Sequence, residues 1–283
     1  CTTDCPGSTT LPTTLVITSG TISQLTGGGT LSLPTTVESG ATLEFAGGMY
    51  TVTGNVTGPG TVLVSAGTVD VTGGTYHITG TSTSVTGGTA NFNSGVTVTS
   101  VGALNISAGT LNFSSGEAIS APTLAISGGT LAGADALTVT GALTWTGGTM
   151  SGMGTTTAAG GLTISGSDDK TLTRPLINQG AGTWSGPGNI LTGSGDFTNQ
   201  AGATFDIQNN WDFSGSGSFT NAGTLTKSSS GTTTISTLFD NSGLVGVQSG
   251  TLEIIGSGTS SGRVTVAAGG TLVASSTAIL DNL

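Results

Sequence analysis

The only place where two acidic residues stand side by side with basic residues close behind is Asp168-Asp169, followed by Lys170 and Arg174. Two carboxylates roughly 5–9.5 Å apart are what glycoside hydrolysis requires. A polysaccharide hydrolase of this kind would add a second aspartate motif, a Gly-His-Gly and an Arg-x-Lys, and the sequence has none of them. The sequence favours a solvated turn with locally paired charges in a non-enzymatic protein, with Asp168 and Asp169 as weak catalytic candidates.

Metal and redox chemistry is limited by two cysteines, Cys1 and Cys5, and one histidine, His77. A cysteine pair this close cannot form a zinc site without further cysteine or histidine nearby. We expect a small Cys1–Cys5 disulfide loop in an oxidising compartment, with pairing between chains or a lipidated Cys1 as alternatives. Calcium repeats of the Gly-Gly-x-Gly-x-Asp type would recur, and only the triplet ending at Asp135 matches faintly, once. We therefore expect no metal and no cofactor.

Threonine and aromatic side chains suggest two binding chemistries, ice binding by Thr-x-Thr ladders and sugar stacking on exposed rings. One outward threonine per repeat is predicted at Thr42, Thr68, Thr110, Thr204 and Thr251. The residues two positions later are Glu44, Asp70, Asn112, Asp206 and Glu253. Charged groups at that position interrupt a regular hydroxyl lattice, which weakens the ice-binding alternative. The aromatic candidates for a glycan site are Trp145, Trp184, Trp211, Tyr50 and Tyr76.

Charge excludes two partner classes. The formal net charge is -10, and the only basic residues are Lys170, Arg174, Lys227 and Arg263. Nucleic acids and anionic membrane surfaces are bound through clusters of Lys and Arg, so we expect neither as a partner. No apolar run approaches the ~18 residues that a transmembrane helix needs. No signal peptide is visible, and the opening on Cys1 suggests a processed, mature end.

Self-similarity near 20 residues predicts the fold. Gly-Thr-apolar triplets recur at that spacing within three runs, which are Thr89, Thr110, Thr130 and Thr149, then Thr183, the variant Ala203-Thr204-Phe205 and Thr224, and finally Thr251 and Thr271. Units this short cannot bury an apolar face alone and must stack on their neighbours. Apolar residues alternate at period 2, and a glycine such as Gly109 separates successive strands. The sequence therefore predicts an all-β parallel solenoid of about 20-residue coils over residues 15–283, after a lead of residues 1–14. Leu111, Phe113, Leu131, Leu225 and Leu252 are the predicted core.

Two features depart from the simple repeat. Asn178, Asn199, Asn221 and Asn241 recur at gaps of 21, 22 and 20 residues. At one position per coil, their side chains should stack as a structural amide ladder, and a ligand-binding row is the alternative. The stretch 152–187 breaks the triplet spacing, since Thr149 and Thr183 are 34 residues apart. It is expected to be an irregular coil or loop-out.

The Phe-x-Asn units from Phe197 to Leu244, together with the Gly-Thr-Leu triplets elsewhere, carry a resemblance. They resemble the right-handed β-helix repeats of bacterial surface proteins, such as filamentous haemagglutinin-type adhesins and autotransporter passengers. The resemblance implies a secreted or cell-surface protein with a mechanical or adhesive role.

We expect a non-catalytic extracellular subunit of a cell-surface fibre or adhesin stalk. A glycan-binding adhesin module is the first alternative, and an ice-binding solenoid and a polysaccharide-degrading β-helix enzyme are further ones. The expected partners are other copies of the chain, stacked end to end as an oligomer or filament. Glycans or a cell surface are further partners to test.

Overall fold

The computed structural model describes residues 13–275 and 278–280. These residues form a parallel β-solenoid of the right-handed type, with about 13 turns and no helix among the described residues. Each turn has three sides, and strands pair in parallel with the strand that lies about 20 residues further along the chain. On side 1 this pairing is interrupted between β10 and β12, where a second sheet begins. The predicted fold class is therefore confirmed.

Side 1 is built from β1 (Leu15–Ile17), β4 (Thr35–Val37), β6 (Val56–Gly58), the first parts of β8 (Thr75–Val85) and β10 (Thr97–Ile106), β12 (Ile119–Ala121), β15 (Leu137–Val139), β18 (Thr156–Ala158), β21 (Leu176–Asn178), β24 (Phe197–Asn199), β27 (Ser218–Asn221), β30 (Leu238–Asn241), β33 (Gly258–Ser260) and β36 (Ala278–Leu280).

Side 2 is built from β2 (Ile22–Leu25), the first parts of β5 (Thr42–Val52) and β7 (Thr61–Val71), the second parts of β8 and β10, β13 (Leu124–Ile126), β16 (Leu143–Trp145), β19 (Leu162–Ile164), β22 (Ala181–Trp184), β25 (Thr204–Ile207), β28 (Thr224–Lys227), β31 (Leu244–Val247) and β34 (Arg263–Val266).

Side 3 is built from β3 (Gly29–Leu31), the second parts of β5 and β7, β9 (Thr89–Asn93), β11 (Thr110–Ser114), β14 (Thr130–Gly133), β17 (Gly148–Met150), β20 (Lys170–Leu172), β23 (Ile190–Thr192), β26 (Phe213–Gly215), β29 (Thr232–Ile235), β32 (Gly250–Ile254) and β35 (Gly270–Ala274).

The core is one continuous stripe enclosed by the three sides, because alternate residues of each strand point inward. The predicted core positions Leu111, Phe113, Leu131, Leu225 and Leu252 are all buried, which confirms that prediction. In the later coils the stripe becomes aromatic. Phe219 contacts Phe197, Phe213 and Phe239 with ring centroids 4.9, 5.1 and 5.3 Å apart.

Glycine forms the corner between sides 2 and 3 in the first seven coils. The corner glycines have positive φ in every case, between 62° and 82°: Gly28, Gly48, Gly67, Gly88, Gly109, Gly129 and Gly148. A Cβ on Gly109 would lie 2.3 Å from the carbonyl oxygen of Gly88 one coil below. Only glycine combines the left-handed backbone with this close stacking. We call this column the tight corner.

The stretch 152–187, expected to be an irregular coil or a loop-out, keeps strands on all three sides. Its strands β18 to β22 continue all three sides, with Thr149 opposite Thr171 and Ala158 opposite Asn178. The gap from Thr149 to Thr183 arises because the triplet changes side: Thr149 lies on side 3, whereas Thr183 lies on side 2 opposite Thr163. The irregularity that does exist is confined to longer corners, described below.

Candidate functional site

Asp168 and Asp169 lie on the outer surface at the end of side 2, and their basic neighbour points the other way. Both aspartates are exposed, whereas Lys170 is buried. The Lys170 ammonium donates to the carbonyl oxygens of Gly166 (3.1 Å) and Pro187 (3.2 Å) inside the solenoid. Burial lowers the pKa of Lys170, and the charges of Asp168 and Asp169 oppose that shift. The structure therefore does not assemble these three residues into a shared cleft.

These residues belong to a corner that is longer than its counterparts. Between sides 2 and 3, five residues connect β19 to β20, β22 to β23 and β25 to β26, whereas two connect β16 to β17. We call residues 165–169, 185–189 and 208–212 the broad corner. Because the three segments occupy consecutive coils, they stack on one another as a local thickening of the rod.

The outer rim of the broad corner is held by one line of hydrogen bonds that runs from coil to coil. Asp169 Oδ1 accepts from the backbone N–H of Asn189 (2.7 Å). Asn189 Oδ1 accepts from Asp212 N–H (3.0 Å), and Asp212 Oδ1 accepts from Thr234 N–H (3.1 Å). These side chains replace the inter-coil ladder where the backbone leaves strand geometry, so the corner is fixed rather than free.

The inner rim of the broad corner is held by a buried lysine. Lys227 Nζ donates to Asn209 O (2.8 Å), Ser229 O (2.9 Å) and Ser229 Oγ (2.6 Å). Thr233 Oγ1 donates to the same Asn209 carbonyl (2.9 Å). Burial lowers the pKa of Lys227, and Asp206 opposes the shift. Longer corners turn carbonyl groups inward, and the ammonium satisfies them where water has no access.

Arg174 is the third buried cation and lies at the corner between sides 3 and 1. Its guanidinium donates from Nη2 to Asp135 O (3.1 Å) and from Nη1 to Ser151 O (3.3 Å), and Nε has no hydrogen-bond partner in the structure. Burial lowers the pKa of Arg174 to about 10, and Asp135 opposes the shift. Three of the four basic residues are thus internal, and only Arg263 is exposed.

Asn178, Asn199, Asn221 and Asn241 are buried at the inner end of side 1 and are joined by hydrogen bonds. Each Nδ2 donates to the Oδ1 of the next asparagine, at 2.9, 2.8 and 2.8 Å in order along the chain. The last amide donates to Ser260 Oγ (3.0 Å). The row faces the core, not solvent. Its contacts are those of an internal scaffold rather than of a ligand site.

The aromatic candidates for a glycan site differ in whether they are buried or exposed. Trp145, Trp184, Tyr50 and Tyr76 are buried, and only Trp211 is exposed, with 40% of its surface accessible. Tyr76 donates to or accepts from Thr83 Oγ1 at 2.7 Å inside the core. A row of stacking platforms along one face is therefore not present. The remaining exposed tryptophan lies on the broad corner.

The outward threonines do not form the single column expected from the sequence. Thr42 and Thr204 lie on side 2, whereas Thr68, Thr110 and Thr251 lie on side 3. Side 3 nevertheless carries an uninterrupted column over six consecutive coils. Its members are Thr68, Thr89, Thr110, Thr130, Thr149 and Thr171, all paired in register and half-buried.

Metal candidates are few. Among the described residues, no group of three His, Cys, Asp or Glu side chains could hold a metal ion. Asp135 instead accepts from Ser115 N–H (2.6 Å), Ser115 Oγ (2.7 Å) and Gly116 N–H (2.9 Å). His77 is exposed, with Nδ1 2.7 Å from Thr99 Oγ1. Cys1 and Cys5 lie outside the described residues, so their pairing stays a prediction.

No helix within the described part of the chain is long and apolar enough to cross a membrane. No family model, curated protein or solved structure matches the chain.

Sequence reasoning missed the broad corner and the internal cations. A signal for Lys227 was present, because the alternation Leu225-Thr226-Lys227 places the lysine on the same side of the strand as the leucine. A signal for the broad corner was the spacing of 22 residues from Thr149 to Thr171, longer than in the preceding coils.

Proposed function

We propose that the chain is a non-catalytic structural element of an extracellular surface, a spacer in a fibre or an adhesin stalk. The observation that supports this proposal is the stack of coils, whose strand pairing is continuous on sides 2 and 3 and is interrupted on side 1 between β10 and β12. About 13 coils at a strand spacing of ~4.8 Å give a rod of roughly 60 Å. Such a rod separates two points in space with its backbone hydrogen bonds satisfied along its length.

The charge distribution agrees with a surface role. With three basic side chains turned inward, the outer surface carries carboxylates and one exposed cation, Arg263. A strongly negative surface keeps rods soluble and apart laterally. This surface has no cluster of basic side chains that could bind nucleic acid.

End-to-end assembly is part of the proposal. The described terminal strands, such as β35, pair with another described strand along one edge only. An edge strand pairs with a further strand unless it is covered, and we propose that a second copy of the chain supplies that strand. Head-to-tail contact of that type does not close and produces filaments.

Immunogold electron microscopy of the producing cell tests the role, with purified rods as the reference. Gold along surface fibres is expected, and an exclusively internal label contradicts the proposal.

Small-angle scattering of the full chain over a concentration series tests the assembly. The expected result is growth along the rod axis, which Val273→Lys, a substitution at an exposed site on β35, should suppress. A rod of constant length at high concentration contradicts it.

Ice binding is a second candidate, favoured by the six-coil threonine column on side 3. In its neighbouring column only Asp70, beside Thr68, is charged, and the next five coils carry Asn91, Asn112, Ala132, Ser151 and Thr173. Thermal hysteresis of the wild type, lost in Thr130→Lys and kept in Thr198→Lys on side 1, would support it. Absence of hysteresis at millimolar protein contradicts it.

A further inference from the structure

The broad corner has the construction of a binding platform. Insertions in a repeat protein collect on one face, and that face is often the one that binds. Here three consecutive coils carry insertions at the same corner. Side-chain hydrogen bonds fix the outer rim through Asp169, Asn189 and Asp212. Rigid surfaces lose less entropy on binding, so such a platform is suited to a ligand.

Trp211 is the apolar element of this platform. The other two tryptophans of the chain, Trp145 and Trp184, are fully buried, whereas Trp211 is 40% exposed. Its backbone N–H donates to Asn209 Oδ1 (3.1 Å), and the Asn209 amide is itself anchored to Trp184 O (3.2 Å) and Gly186 O (3.0 Å). The indole is thus presented to solvent on a pinned backbone.

The polar elements are carboxylates with unused oxygen atoms. Asp169 and Asp212 each use Oδ1 for the neighbouring coil, and Oδ2 of each makes no hydrogen bond with the described residues. Asp168 is exposed in the same corner, and among the described residues it accepts from Ser167 Oγ alone (3.3 Å). The lysines of this region point inward. The outer surface around Trp211 therefore attracts cations and hydrogen-bond donors.

An aromatic face beside carboxylates matches a ligand that has both a C–H surface and ammonium groups. A peptide would need a groove or a free strand edge for its backbone, whereas the broad corner is a stack of five-residue turns. We propose that the broad corner binds a glycan of amino sugars, with a pyranose ring on Trp211 and ammonium groups against Asp168, Asp169 and Asp212. This inference goes beyond the mechanical role and does not depend on it.

The test is a titration of the full chain with a fully deacetylated β-linked glucosamine hexamer, followed by tryptophan fluorescence and calorimetry. Saturable binding that perturbs Trp211 and weakens with salt is expected. Trp211→Ala should weaken binding at least about tenfold. Asp212→Asn, which keeps the Oδ1 acceptor, should weaken it about threefold to tenfold. Met153→Ala, at an exposed site on another corner, is the matched control and should bind like the wild type.

Several outcomes overturn the proposal. If Trp211→Ala binds the hexamer as strongly as the wild type does, Trp211 is not a stacking platform. If the N-acetylated hexamer or a neutral glucose hexamer binds equally well, the carboxylates do not contribute to binding. Equal binding of hexalysine shows a charge-only surface, and no saturation at millimolar hexamer shows no site. Melting curves of each variant exclude unfolding as the cause of a loss.

Discussion

The same corner between sides 2 and 3 is built in two ways. In the first half, glycines with positive φ let the chain turn with no side chain in the way, and the interior stays apolar. In the broad corner of the later coils the turn is longer, and Lys170, Lys227 and Asn209 fill its inner side. The first solution leaves few polar groups to satisfy. The second creates inward carbonyl groups and supplies donors for them, which lets the outer surface vary.

The largest effect is expected in the tight corner, from Gly109→Ala. The new Cβ would lie 2.3 Å from Gly88 O at a φ of 70°, so both the contact and the backbone conformation are unfavourable. We expect a loss of about 4 kcal/mol in the free energy of unfolding, measured by denaturant titration. Gly202→Ala is the control, because its φ is 85° but nothing lies within 4 Å of the Cβ position. Equal losses in the two variants would show that stacking does not restrict the tight corner.

The second largest effect concerns the amide ladder of the later coils. Asn199→Leu removes the donor to Asn221 Oδ1 and the acceptor for Asn178 Nδ2. A loss of about 3 kcal/mol is expected because buried partners remain unsatisfied. Asn105→Leu is the control, since Asn105 is exposed and makes one long contact of 3.5 Å to Ser84. A ladder variant as stable as this control would mean that the amides contribute nothing net.

A smaller effect is expected from alkaline pH, and it belongs to the broad corner. The folded-state pKa of Lys170 and of Lys227 is lowered by burial below the unfolded value of 10.5. The unfolded chain therefore binds more protons in the window between the lowered pKa and 10.5, so stability rises with pH there. We expect Tm to increase from neutral pH toward pH 10.

The control for this pH effect is the pair Lys170→Met and Lys227→Met, in which the increase should shrink. Tyr76 acts in the opposite direction above pH 10, because burial raises its pKa, and Tyr76→Phe separates the two contributions. A Tm that falls steadily from neutral pH to pH 10 in the wild type would contradict the assignment.

The smallest expected effect is a gain in stability in the first half of the solenoid. A cavity of about 20 Å³ lies between Phe45, Val64, Tyr76, Ala90 and Phe92, and its lining is apolar. Ala90→Val should fill part of it and add about 0.5–1 kcal/mol to the stability. Ala158→Val, buried on side 1 away from that cavity, should destabilise by overpacking. Calorimetry of both variants decides whether the two sites differ in packing.

The fold could be predicted from the sequence because two local signals agree wherever the triplet spacing holds. The 20-residue spacing and the alternation around Leu111 and Leu131 fix which residues are internal. Alternation does not say on which of three sides a strand lies, so the sequence predicts one column for Thr42 and Thr110, which occupy different sides.

The broad corner could not be predicted in this way. The direction of Lys170 depends on carbonyl groups of Gly166 and Pro187, one of them in the next coil, and such contacts leave no local pattern. Exposure of Trp211 beside burial of Trp184 likewise depends on where a corner residue sits relative to the stack. The candidate site therefore depends on contacts between coils. The sequence predicts the coils but not these contacts.

The Gly-Thr triplet does not stay on one side of the solenoid. The triplet at Thr149 occupies side 3, the triplet at Thr183 occupies side 2, and the one at Thr251 is again on side 3. Sides 2 and 3 thus accept the same triplet, although they lie at different positions around the axis. A repeat alignment that matches triplet to triplet therefore superposes surfaces that face in different directions.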